Sequence, residues 1–525
     1  FTQNVEAGFG LSSNYYRPLL LLSFAFNYVI HGIAPFGYHL ISNGFHIANG
    51  VLLFLLLAKF IGSRASFIAA LLFLIHPVQT EAVTYISGRG DPMSVFFMFL
   101  ALWLFVRSLN FKISGFRNVY FISSLISAVL ALLSRETAII FPLLLMVFYI
   151  SFLSKEKFLS ALKKSFFVSL PFWAISTIYF ILRLTVFNFE DTLNFYSQSN
   201  IYTENLLFRL YTFGAVLVEY FKIILWPVGL HMERDFPIFT SLAQWPVWLG
   251  AILAFSIFYT AYRSYERGKV LLFSWAWFFI ALGPVSGIIP INALIYEHWL
   301  YLPLMGVAVL SGFYIDKLFE LTARRKFLTS VVLAMLVGYL SFFGIQSIKR
   351  NIIWGKPIEF YEDILKYSPS SVRIITNLGN LYSEKGDLDK AEELFIRAIE
   401  DAENIFAQPH YNLGNLYRDT GRTDEAIGEY LKAINVDPSF PFAYQNLAEI
   451  YVNDKRDLAA GINVLEELKK IQPGNPRVYY NLGLLYLATE DLDSAVENLE
   501  LGLDLASGRD AEVEQAISEI LSRIR

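Results

Sequence analysis

At 525 residues, with 55% hydrophobic and 17% aromatic residues and a mean hydropathy of +0.46, the chain is too apolar to be soluble throughout and has room for more than one domain. Its charge is divided: after residue 370, 28 Asp/Glu stand against 15 Lys/Arg, leaving 18 against 27 before it. A basic, apolar front and an acidic back point to a membrane domain followed by a water-soluble one and exclude nucleic acid as a partner, while zero cysteines exclude disulfides, Cys-ligated zinc and thiol catalysis.

The first residues, 1–16, are polar and rich in Gly, Ser and Asn, and read as a water-side loop. No basic stretch leads into an apolar run there, so no signal peptide is expected. Residues 17–32 are apolar but barely long enough to span, so an interfacial or part-inserted helix is expected beside a full span. Further on, 39–60 is long enough to cross, and His39, Asn43, His46 and Asn49 recur at helical spacing along one of its faces. Interhelical hydrogen bonding and a lining of a site both explain them.

Spans are predicted at about 65–80, 92–108, 119–134, 137–153, 166–187, 246–262, 270–291, 299–315 and 328–347. The intervening loops sort by charge. Those with Arg107/Lys112/Arg117, Lys155/Lys157/Lys163/Lys164, Arg263/Arg267/Lys269 and Lys317/Arg324/Arg325/Lys326 are basic and belong on the cytoplasmic face. Loops 1–16, 81–91, 134–136, 188–205, 231–244 and 293–298 then fall on the opposite face. Residues 206–230 carry Arg209, Glu219 and Lys222, and parity favours a helix that lies on the outer face or dips in and returns.

The densest polar stretch is His76–Asp91, HPVQTEAVTYISGRGD, set between two apolar runs. Ionisable groups where a span meets water are expensive to hold and mark a site by default. Three clusters share its face: Tyr15-Tyr16-Arg17-Pro18, Ser134-Arg135-Glu136-Thr137 and Glu297-His298-Trp299-Leu300-Tyr301. Arginines at this depth suit a phosphate on a lipid, and a carboxylate nearby could take a proton from an attacking hydroxyl or hold a divalent ion. Snorkelling or helix-end anchoring explains any one cluster better when it is taken alone; together on one face they read as a shared cavity. Whether a metal takes part is left open.

After Trp354 a repeat sets in. Asn-Leu-Gly recurs at 377–379, 412–414 and 481–483, with Asn-Leu-Ala at 446–448. Tyr382, Tyr417, Tyr451 and Tyr486 follow, then Ala391, Ala426, Ala460 and Ala495. A period near 34 with small residues at fixed places is the tetratricopeptide pattern, whose helix pairs stack into a solenoid with a concave binding face. The fold class is therefore all-α: a polytopic membrane bundle over 1–353, then a solenoid over 354–525 with repeats near 372–406, 407–440, 441–475 and 476–509.

Taken in order, Tyr-Tyr-Arg-Pro-Leu, Tyr38-His39 with Asn43 and His46, the His76–Val83 and Gly88–Asp91 block, and Glu297–Pro303, together with the repeats, resemble the transmembrane and tetratricopeptide-repeat O-mannosyltransferase family and its bacterial relatives. The resemblance covers nearly the whole chain. It implies a glycosyltransferase of the C superfamily that moves a hexose, mannose foremost, from a polyprenyl-phosphate donor to Ser/Thr of exported proteins. The implied setting is a bacterial inner membrane or the endoplasmic reticulum, with site loops and solenoid on the periplasmic or luminal side and the solenoid recruiting the acceptor polypeptide. Asp91 and Glu81 are then the catalytic carboxylates, and Arg17, Arg89, Arg135 and His298 the contacts to the donor phosphate. Tyr16, His39, His76, Glu136, Glu297 and Tyr301 line the site.

The family's acidic pair in a first outer loop has no counterpart in this chain, so an N-terminal truncation that removes a first catalytic Asp is expected. The family also more often has Arg where His298 stands. Two other readings fit the same layout: a ligase for lipid-linked oligosaccharides in envelope assembly, and a non-catalytic membrane scaffold.

Overall fold

The computed structural model describes residues 16–110, 114–186, 201–264, 268–289, 293–402, 404–508 and 510–524. Loop 1–15, with Tyr15, and most of loop 188–205 lie outside them. The described residues contain helices and no strand, and they divide into two units at the Gly355–Lys356 bond.

The first unit holds α1 (Pro18–His31), α2 (Pro35–Ile61), α3 (Ser63–Ile75), α4 (Thr80–Thr84), α5 (Gly90–Asn110), α6 (Ser114–Ser134) and α7 (Phe141–Phe148). It continues with α8 (Phe158–Thr185), α9 (Ile201–Glu204), α10 (Leu206–Leu225), α11 (Trp245–Ser264), α12 (Val270–Leu282), α13 (Leu304–Thr322) and α14 (Lys326–Trp354). Among the described residues six stretches are long and apolar enough to cross a membrane, and seven if α3 and the bent Pro77–Thr84 segment count as one. This is a membrane protein.

Several spans differ from their sequence outlines, each for a local reason. Pro77 lacks an N–H, so α3 stops at Ile75 and the chain bends by 50° into a 3-10 turn and α4. The bend is pinned by His76, whose Nδ1 accepts from the Val78 N–H (3.2 Å) and whose Nε2 donates to the Ile224 carbonyl (2.9 Å). Gly283 and Pro284 end α12 after 13 residues, about 20 Å of helix against a hydrocarbon core of about 30 Å. Residues 298–300 form a 3-10 turn, so α13 begins only at Leu304 and runs to Thr322. In contrast α14 continues to Trp354, past its expected end at 347.

Helices in lipid gain from close packing, which small residues permit. On α13, a Cβ at Gly306 would stand 2.3 Å from the Ser274 carbonyl, and one at Gly312 would stand 2.5 Å from that of Ala65. Rings fill the space between helices: Phe73, Phe99, Phe105, Phe148, Phe172, Phe273 and Trp277 are all nearly fully buried.

The second unit opens with α15 (Pro357–Leu365). It continues as antiparallel pairs α16 (Val372–Lys385) and α17 (Leu388–Asp401), α18 (Ala407–Asp419) and α19 (Thr423–Val436), and α20 (Pro441–Asn453) and α21 (Leu458–Ile471). A fourth pair, α22 (Pro476–Ala488) and α23 (Leu492–Ala506), is followed by α24 (Ala511–Ile524). Within a pair, a glycine of the first helix receives a large side chain sixteen residues on. A Cβ at Gly379, Gly414 or Gly483 would lie 2.5–2.7 Å from Phe395, Tyr430 or Leu499. Where the repeat has Ala448 instead, the residue at that offset is the smaller Val464, in the same apolar cluster.

Candidate functional site

The polar side chains of the first unit gather at helix ends. Arg17 precedes α1, Asp91 sits in the first turn of α5, and Arg135 follows α6 with extended backbone that turns the chain into a 3-10 segment beginning at Glu136. Glu81 lies in α4, just beyond the Pro77 bend, while Glu297 and His298 open the 3-10 turn before α13.

These groups pair across elements. Both oxygens of Glu136 accept from Arg17, and the Asp91 carboxylate pairs with Arg135. Glu81, almost fully buried, takes two bonds from one residue: its Oε2 accepts the His298 backbone N–H (3.1 Å) and its Oε1 meets His298 Nδ1 at 2.7 Å. The pairs are neighbours, because Asp91 lies within electrostatic reach of His298, Arg17 and Glu81 as well as Arg135. Tyr179 near the end of α8 joins the group through Glu136, Arg183 and Arg17. At its edge Tyr16 is nearly buried, and desolvation pushes its phenol above the usual value.

Glu297 anchors a second half of the cluster that was not visible in the sequence. It is fully buried, and its Oε1 accepts from Arg234 (2.8 Å) and from the His231 N–H (2.8 Å), while its Oε2 lies 2.6 Å from Arg350. Arg234 also reaches Glu219 of α10 at 3.1 Å. Arg350 lies within electrostatic reach of Glu81, which joins the two halves. The signals for the missed residues were faint: Arg234 sits in a loop already assigned to the outer face, and Arg350 lies three residues past the predicted end of the last span. Thr84 Oγ1, bonded to Asn351 Oδ1 at 2.6 Å, holds that end of α14 against α4.

The structure leaves cationic donors open here. Arg350 is nearly buried; its Nη2 is ion-paired with Glu297, but its Nε and Nη1 make no hydrogen bond, and Arg135 Nε and Arg234 Nε have none either.

Other residues singled out from the sequence serve packing. Arg89 is fully buried, with its guanidinium bonded to Ser42 Oγ, Ser23 Oγ and the Ser23 and Tyr38 carbonyls, over the Phe24 ring. Its donors are spent on α1 and α2, which removes the reason for giving it a phosphate. His46 Nε2 donates to the Leu74 carbonyl (3.0 Å), so its Nδ1 accepts from the Tyr301 hydroxyl (2.8 Å), which in turn accepts from Asn49 (3.0 Å). Tyr301 and the His46 face are thus interhelical bonding, and His76 is the pin of the bend. Asn43 bonds back to the His39 carbonyl, and His39 is half-buried on the same helix. Among the described residues no three His, Asp or Glu groups converge as metal ligands do.

Family models for "TPR repeat" match residues 414–455, and those for "Tetratricopeptide repeat" match 372–410 and 476–508. The second unit is therefore a tetratricopeptide solenoid. Protein O-mannosyl-transferase TMTC3 of Mus musculus is 24% identical over 413 residues, which cover 73% of this chain and 44% of that protein. Protein O-mannosyl-transferase TMTC4 of Homo sapiens is 24% identical over 430 residues, 72% of this chain and 58% of that one. The resemblance read from the sequence holds: this chain is similar to the TMTC O-mannosyl-transferases over nearly three quarters of its length. A shorter match, 42% identical over 93 residues, links it to protein O-mannosyl-transferase tmtc2 of Xenopus laevis and covers 18% of this chain and 11% of that protein. The chain spans about half the length of the curated TMTC relatives it matches. Among solved structures, MamA is 25% identical over 31% of this chain and 95% of its own, with a TM-score of 0.27.

Proposed function

We propose that this protein is a membrane glycosyltransferase that moves a hexose, mannose foremost, from a polyprenyl-phosphate carrier to Ser/Thr hydroxyls of exported polypeptides. The observation that carries the reading is the joining, at helix ends, of two buried carboxylates, Glu81 and Glu297, and two partly buried ones, Asp91 and Glu136, with Arg17, Arg135, Arg234 and Arg350. Charges are held in such a position at considerable cost, and the open donors on Arg135 and Arg350 suit phosphate oxygens. A scaffold needs no such cluster, and the relatives' names supply the reaction class.

In this reading the donor's phosphate lies against Arg135 and Arg350, which take up the charge that develops as the sugar–phosphate bond breaks. The acceptor oxygen attacks the anomeric carbon, and its proton passes to a group on the Asp91 and Glu81 side. Asp91 and Glu136 fix the two arginines that face them. The basic loops on the opposite face support a periplasmic or luminal side for the cluster, and in this reading the solenoid, which follows α14 without another span, presents the acceptor there.

The test uses membranes containing the full-length protein, a radiolabelled polyprenyl-phosphate hexose and exported protein. Label should pass to protein with wild type and fall by about 10²-fold or more with Asp91→Asn, on the scale of losing one catalytic contact. Wild-type transfer to lipid-linked glycan instead of protein would make this a ligase, and no transfer from any donor would leave the scaffold.

A further inference from the structure

We propose that His298, rather than a carboxylate, takes the proton of the acceptor hydroxyl, with Glu81 as the residue that positions it. This rests on the glycosyl-transfer reading above and names its base.

The geometry is that of an oriented imidazole. Glu81 is 3% exposed and holds His298 at two atoms of the same residue, the backbone N–H and ring Nδ1. A carboxylate accepts and does not donate, so the neutral ring carries its proton on Nδ1 and leaves the Nε2 lone pair free. That nitrogen has no protein partner among the described residues, and the side chain is 22% exposed, more than any other member of the pairs around Asp91 except Glu136 at 23%. The ring is further fixed by stacking on Tyr296, with centroids 5.2 Å apart and 26° between planes. At Asp91 one carboxylate oxygen, Oδ2, is already paired with Arg135.

A histidine bonded to a buried carboxylate can take up a proton, which an arginine, charged throughout the working pH range, cannot. The hydroxyl oxygen forms its bond to the anomeric carbon as the carbon–oxygen bond to phosphate breaks. The electron pair leaves with the lipid phosphate, and the hydroxyl proton moves to Nε2. The resulting imidazolium is stabilised by Glu81 and gives its proton to water after product leaves.

The groups facing the ring are Glu81 of α4, Asp91 of α5 within electrostatic reach, and Tyr296 and Trp299 of its own segment; the neighbouring Glu297 is turned to Arg234 and Arg350. Arg350 of α14 and Tyr220 of α10 act on Glu81 behind it.

The experiment compares full-length wild type, His298→Gln, His298→Ala and Glu81→Gln in the transfer assay, with direct binding of the labelled donor measured separately. His298→Gln should lower kcat by about 10²–10⁴-fold while donor binding stays as in wild type. Wild-type kcat should rise with pH through one ionisation to a plateau, and that limb should vanish in His298→Gln. In Glu81→Gln the limb should move to lower pH, since the imidazolium loses its carboxylate. Added imidazole should restore part of the rate of His298→Ala, which a misfolded variant could not show. Unchanged kcat in His298→Gln overturns the proposal. So does a loss of donor binding that matches the loss of rate, which would make His298 a phosphate contact. Wild type that transfers nothing fails the glycosyl-transfer reading itself, a separate result from either.

Discussion

A carboxylate with no exposure is held by its partners or not at all. Glu297 is fully buried between Arg234 and Arg350, and removing its charge strips Arg350 of its ion-pair partner and leaves Arg234 with Glu219 alone, in a low-dielectric setting. Glu297→Gln should therefore destabilise the bundle by about 3–5 kcal/mol, the cost of stranding buried charge. Adding Arg350→Met to that variant should recover part of the loss, with both read from thermal unfolding in detergent. At this scale the sequence was informative where a polar group interrupts an apolar run, as Asp91, Arg135, Glu81 and His298 do. It was silent on pairing, because Glu81 and His298 are more than 200 residues apart and their contact depends on the Pro77 bend. Arg89 misled for the same reason. An arginine in a polar block looks available for an anion until the fold wraps α1 and α2 around it.

Elements show a stricter code in the solenoid than in the bundle. The glycine at the third position of Asn-Leu-Gly exists because a large side chain sixteen residues later occupies the space of its missing Cβ, as Phe395 does at Gly379. Gly379→Ala should destabilise that repeat by about 1–3 kcal/mol through overpacking, and Phe395→Val should recover part of it, as the Ala448 and Val464 combination already does within this chain. Hydrogen exchange of the amides over 372–401 would report both effects; faster exchange that Phe395→Val leaves untouched would refute the size-matching account. The repeat was legible because every unit restates the same contacts. Membrane helices carry no such redundancy. The end of α12 at Gly283-Pro284 and the delayed start of α13 at Leu304 are decided by backbone chemistry inside runs that remain apolar throughout, so hydropathy alone drew both spans too long or too early.

For the whole molecule, the claim most open to test is sidedness. By the positive-inside rule, loop charge predicts that the cluster and the loop before α11 face outward and that the start of α8, beside Lys155, Lys157, Lys163 and Lys164, faces inward. The solenoid shares the outer face only if α14 is the last crossing. The chain has no cysteine, so single-cysteine variants can be labelled without background. Ser241, Ser160 and Ser507 are exposed and sit before α11, at the start of α8 and after α23. In sealed, right-side-out vesicles a membrane-impermeant maleimide should label Ser241→Cys and Ser507→Cys at once, and Ser160→Cys only after permeabilisation. Label at Ser241→Cys but not at Ser507→Cys would put the repeats across the membrane from the site. The solenoid could not then hand polypeptide to a hydroxyl-activating imidazole, even if the transfer chemistry stood. Label at Ser160→Cys in sealed vesicles would invert the bundle and move every charged pair described above to the cytoplasmic face.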